Sequence, residues 1–86
     1  MSEKPKIKAI LTMDGKEYKG EGDSVYDAIS NIPLDWTQIK TKGTIKVSQG
    51  KKKAEKLFYA QMLKAIFASK MRRMAWAKNL NFLLNS

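Results

Sequence analysis

The run KIKAILTM, the dipeptide Asp14-Gly15 and the run KEYKGEG constrain the fold more than any other part of the chain. A two-residue type I′ loop needs positive φ at both positions, which Asp and Gly tolerate, so alternating runs joined by Asp-Gly predict a β-hairpin. The register follows directly. Met13 faces Lys16, Leu11 faces Tyr18 and Ala9 faces Gly20 on an apolar side. Thr12 with Glu17, Ile10 with Lys19 and Lys8 with Glu21 make the other side, which is mostly polar and carries a complementary charge pair. The first five residues, MSEKP, are polar and expected to be loose.

The segment GDSVYDAISNIP follows. Ser24 and Asp27 have the spacing of a capping box, with Asp where Glu or Gln is more usual. Val25, Ala28, Ile29 and Ile32 recur at helical spacing, and Pro33 stops the run. A helix of about two turns does not survive alone in water, so this one is expected to lie on the apolar side of the hairpin. In the connector LDWTQIK, Trp36 reads as a core plug.

Thr44 to Ser48 reads as a strand, with a turn at Gln49-Gly50 and an antiparallel partner from Lys52 to Phe58. Ala54, Leu57 and Phe58 would also suit the start of a helix, so residues 51–58 stay open between strand and helix, the hairpin being the favoured reading. From Tyr59 the pattern is helical, with Leu63, Ile66, Phe67, Met74 and Ala77 on one face and Lys70 in its middle. Either the helix breaks near Ala68-Ser69 with Ser69 capping a new one, or Lys70 snorkels out of the face. Trp76, Leu80, Leu83 and Leu84 form a further stripe, with Phe82 to one side. The fold expected is therefore one α+β domain over residues 1–86, ββαββα, with ββαβα as the alternative. In it a small antiparallel sheet of two hairpins is covered by a short helix and a long, broken one.

Composition removes most chemistry. The chain has no Cys and no His, which excludes a disulfide framework and the common zinc and iron–sulfur sites. The usual general base and thiol nucleophile are missing with them. Neither G-x-x-x-x-G-K-[ST] nor G-x-G-x-x-G occurs. Neither an enzyme nor a cofactor site is expected. The absence of Cys favours a reducing compartment such as the cytoplasm. No apolar run approaches the roughly 18 residues of a membrane span, and the N-terminus lacks the apolar core and cleavage site of a signal peptide.

Charge supplies the functional lead. Residues 1–39 carry five lysines against seven acids, whereas residues 40–86 carry twelve Lys or Arg against Glu55 alone. Such asymmetry within one small domain points to an anionic partner. In GKKKAEK, Lys51, Lys52, Lys53 and Lys56 suit phosphates met by a hairpin tip, against the plainer reading of a solvated turn. In SKMRRMAWAKN, Lys70, Arg72, Arg73 and Lys78 extend the candidate footprint, while Met71, Met74 and Trp76 read as packing residues. The expected partner is nucleic acid, DNA first, with no integral membrane association. The alternative is a protein-interaction module that binds an acidic protein or forms a homo-oligomer through Trp76, Leu80, Phe82, Leu83 and Leu84.

The layout of DGKEYKGEGDSVYDAISNI, TKGTIKVSQGKKKAEKLF and a basic terminal helix resembles small uncharacterised proteins encoded by bacteriophages. That resemblance implies a viral protein acting in the host-cell cytoplasm as a DNA binder, a blocker of a host protein or a minor assembly component. It assigns no functional residue.

Overall fold

In the computed structural model, residues 5–86 are described; the expectation for the loose start lies outside them except at Pro5. Pro5 is held, its carbonyl accepting a hydrogen bond from Gln49 Nε2 at 3.1 Å. The element order is β1 (Ile7–Met13), β2 (Lys16–Gly22), α1 (Val25–Ser30), a single 3-10 turn (Trp36–Gln38), β3 (Gly43–Gln49), β4 (Lys52–Phe58), α2 (Ala60–Ala68) and α3 (Lys70–Leu84). This is the ββαββα order, with the last helix in two pieces. The four strands form one antiparallel sheet in the order β2-β1-β3-β4.

The first hairpin has the register its sequence dictates, from Met13 opposite Lys16 to Lys8 opposite Glu21. Asp14 at φ 54° and Gly15 at φ 75° are the two left-handed residues a type I′ loop requires. In the second hairpin Gln49 pairs with Lys52, so the loop is Gly50-Lys51 and residues 52–58 are strand. Gly50 at φ 61° stands at the first loop position, where a type II′ turn favours glycine.

One side of the sheet is covered. Ile7, Ala9, Leu11 and Met13 of β1, Ile45 and Val47 of β3 and Phe58 of β4 are buried there. They meet Val25, Ala28 and Ile29 of α1, the following Ile32, Leu63 and Ile66 of α2, and Ala77, Leu80 and Leu84 of α3. The α1 stripe is the expected one, and Ser24 Oγ accepts from the Asp27 N–H at 3.1 Å. Its far end is tied to β2 by Asn31 Nδ2 donating to the Glu21 carbonyl at 2.8 Å.

Gly20 explains how α1 comes so close. A Cβ built there would collide with the Ala28 carbonyl oxygen and lie 2.7 Å from Ile32 N. The helix backbone therefore rests directly on the strand, an approach only glycine permits.

Two packing expectations are corrected. Trp36 is not a core plug but 46% exposed. Asp35 and Gln38 cap the 3-10 turn, with the Thr37 N–H donating to Asp35 Oδ1 and the Asp35 N–H to Gln38 Oε1. The extended backbone at Ile39 then delivers that side chain, fully buried, in place of the tryptophan. Met71 and Met74 are not packing residues either. They are 82% and 48% exposed, because the helix breaks at Ser69 and the phase of α3 is set anew.

Gly20→Ala tests the backbone contact. Alanine in an ordinary strand costs less entropy than glycine, so a small gain would be the default. Here overpacking is expected to destabilise the domain by about 1–3 kcal/mol. Urea unfolding should show this as a lower midpoint at an unchanged slope.

Candidate nucleic-acid interface

Strand order decides where the cations gather. β1 lies beside β3, so its start is next to the β3–β4 turn. Lys8 pairs with Ser48, and Ser48 with Lys53. These three form one row on the open side of the sheet, placing Lys8 and Lys53 about 10 Å apart across two strand spacings. Lys51 occupies the turn, and Lys6 and Lys8 border a depression shared with Pro5, Glu21, Ser48 and Gly50. Lys6, Lys8, Lys51, Lys52 and Lys53 are all exposed. Five cations thus converge on one end of the sheet, with Glu21 as the carboxylate in that row.

Lys6 and Lys8 are absent from the footprint expected from sequence. They belong to the half of the chain with a negative balance, and only the β1–β3 pairing brings them to the turn. Alternation does place Lys8 on the polar side of its hairpin, but it does not reveal the neighbouring strand.

β4 is an edge strand and carries its lysines on both sides. Lys53 and Glu55 lie on the open side, while Lys52 and Lys56 alternate with them toward the helices. Lys52 Nζ donates to Asn85 Oδ1 at 2.9 Å. Lys56 Nζ sits 4.8 Å from the centre of the Trp76 ring. That ring also meets Phe58 edge-on at 5.0 Å between centroids. Trp76 is therefore occupied by a cation and an aromatic partner, and it closes the seam between α3 and β4.

The other cations do not join this end. α3 runs antiparallel to β4, with Trp76 at Phe58 and Lys56 and Asn85 at Lys52. Arg72 is thirteen residues from Asn85 in sequence, which is roughly 20 Å along the helix. Lys70 is at the same far end of α3, and Lys78 lines the groove between α3 and α1 together with Asp23, Ser24 and Tyr26. One continuous footprint through residues 51–53, 72 and 73 is not what the fold builds.

Arg73 has a different occupation altogether. Its Nε donates to the Ile66 carbonyl at 3.0 Å and its Nη2 to the Phe67 carbonyl at 3.2 Å. Nη1 donates to Ser30 Oγ at 3.0 Å, and the guanidinium lies 5.7 Å from the centre of the Tyr26 ring. The fork satisfies carbonyls left open at the end of α2 and ties them to α1. Leu80 and Leu84, expected at a partner interface, are buried in the domain's own core; Phe82 and Leu83 remain outside at 73% and 41% exposure.

The open side of the sheet consists of Lys8, Ile10, Thr12, Glu17, Lys19, Glu21, Thr44, Lys46, Ser48, Lys53, Glu55 and Leu57. None of these is aromatic, so this surface offers no platform for stacking splayed bases. What it offers is a lysine-rich end suited to phosphates. Among the described residues there is no group of three His, Cys, Asp or Glu side chains placed to hold a metal ion.

The two adjacent arginines are therefore expected to separate in mutagenesis. Arg73→Ala should lower stability by about 1–3 kcal/mol, since it strands carbonyls and removes a three-way tie. Arg72→Ala should stay within about 0.5 kcal/mol of the parent. Arg73→Lys should rescue only part of the loss, because one ammonium cannot reproduce the fork. Thermal or urea unfolding of the three variants decides it.

No family model, no curated protein and no solved structure matches this chain.

Proposed function

We propose that this domain binds nucleic acid without catalysis, duplex DNA first, by gripping phosphates at the β3–β4 end of its sheet. The observation that carries the reading is the convergence there of Lys6 and Lys8 at the start of β1, Lys51 in the turn, and Lys52 and Lys53 of β4. Lys56, farther along β4, stands apart from this group, its ammonium facing the helices over Trp76. Lysines on a turn and at strand ends reach backbone phosphates, and such contacts hold a duplex without reading its sequence. A site of this kind works through counterion release, and its affinity falls steeply with salt. The proposed setting is a cytoplasm. No helix among the described residues is long and apolar enough to cross a membrane.

The edge position of β4 gives its lysines a second role. Charged side chains on an edge strand discourage pairing with another chain, and that alone would account for Lys52, Lys53 and Lys56. It does not account for Lys51 in the turn, or for Lys6 and Lys8 at the start of an interior strand. These three favour the phosphate reading.

Fluorescence anisotropy with a labelled duplex, read between about 50 and 200 mM salt, tests it. With about four phosphate contacts the affinity is expected to fall about 100-fold over that range. Replacing Lys51 and Lys53 by Ala should flatten the log–log salt slope by about 2. Arg72→Ala, at the far end of α3, should change the slope by less. Affinity that is missing at low salt, or indifferent to salt, overturns the proposal.

A further inference from the structure

The outward face of α3 has a composition that the rest of the domain does not use. Met71 lies three and four residues before Met74 and Ala75, which lie four and three before Lys78, and Phe82 follows four later. The five therefore form one stripe that runs beside the buried Ala77, Leu80 and Leu84 and turns away from them. Met71 is 82% and Phe82 73% exposed, and the stripe spans roughly 16 Å, or three turns. Aromatic, Met and Arg side chains are those enriched where protein interfaces are fully buried. Lys70 and Arg72 flank the start of the stripe and Lys78 interrupts its middle. From Tyr59 to Ser86 the sequence contains no carboxylate side chain. Asp23 stands across the groove from Lys78.

We infer that this face docks an acidic amphipathic helix of another protein, one whose apolar stripe is flanked by Glu or Asp. Charge complementarity selects that occupant over the others. A second copy of this chain is disfavoured: a two-fold pairing centred on the stripe sets the two Lys78 ammoniums roughly 5 Å apart along the axis, with no acid on either helix to separate them. An anionic bilayer is disfavoured because Lys78 lies within the apolar stripe, where inserted helices keep their polar and apolar faces apart. A carboxylate placed opposite Lys78 answers both problems. The inference does not rest on the lysine rim, which meets α3 only beyond the end of the stripe, where Lys52 donates to Asn85.

The probe is a labelled synthetic helix of about 20 residues with a leucine stripe and glutamate flanks, compared with the same peptide carrying lysine at those flanks. The glutamate peptide is expected to bind the intact domain at least about tenfold more tightly, tenfold being about 1.4 kcal/mol. Met71→Ser with Phe82→Ser should weaken it by a further factor of about ten, leaving the melting temperature and duplex binding unchanged. Lys78→Glu should shift preference toward the lysine peptide. Equal affinity for both peptides, or binding to neither, overturns the inference. So does a dimer that Phe82→Ser dissolves, or capture by anionic vesicles with the peptide ignored.

Discussion

The domain depends on one interruption and the side chain that stabilises it. A single helix from Ala60 to Leu84 would run roughly 37 Å, whereas seven-residue strands extend only about 23 Å. Ser69 in extended conformation ends α2 and starts α3, its hydroxyl accepting from the Arg72 N–H at 3.4 Å. Arg73 then returns to the carbonyls of Ile66 and Phe67 and reaches across to Ser30 and Tyr26. One guanidinium joins three helices. With that tie in place α3 can lie along β4, Trp76 against Phe58 and Asn85 at Lys52.

Local determinants were legible in the residues, and relationships between distant segments were not. The Asp14-Gly15 loop carries its own φ requirement, and alternation on both sides leaves one register, so the first hairpin could be written pair by pair. α1 was equally readable from Ser24, its stripe and Pro33. By contrast, a continuous helical phase groups Met74 with Leu63, Ile66, Phe67 and Ala77. Once Ser69 resets the phase, the inner stripe becomes Arg73, Trp76, Ala77, Leu80 and Leu84, and Met74 turns outward. Ser69 was readable as one of two solutions to Lys70, but nothing near it says that Arg73 would cap the preceding helix.

The same limit applies to the candidate site. Residues 51–53 declare themselves by density of charge. Lys6 and Lys8 do not, because their place beside the turn comes from β1 pairing with β3, a choice made between segments forty residues apart. Gly20 is a similar case. As a residue in a strand it looks like a weakness, and only the seat of α1 on its backbone shows why a side chain is excluded there. Trp36 fails in the opposite direction: its size suggests burial, yet a capped turn and the buried Ile39 leave it outside.

The cations singled out in the second half of the chain therefore serve different ends rather than one. Lys51, Lys52 and Lys53 rim the sheet end, Lys56 covers Trp76, and Arg73 is structural. Lys70 and Arg72 stand in the first turn of α3, where the helix dipole disfavours cations by about 0.3–1 kcal/mol each. The end of α2, with its carbonyl charge, lies close by and offsets part of that cost, but Arg73 already satisfies two of those carbonyls. Lys70 and Arg72 are exposed and bring α3 no evident internal gain. Cations in such positions make sense when an external acid supplies the compensation. Beside Met71 and Phe82, which are also left in water, this is the compensation that the inferred acidic helix would bring.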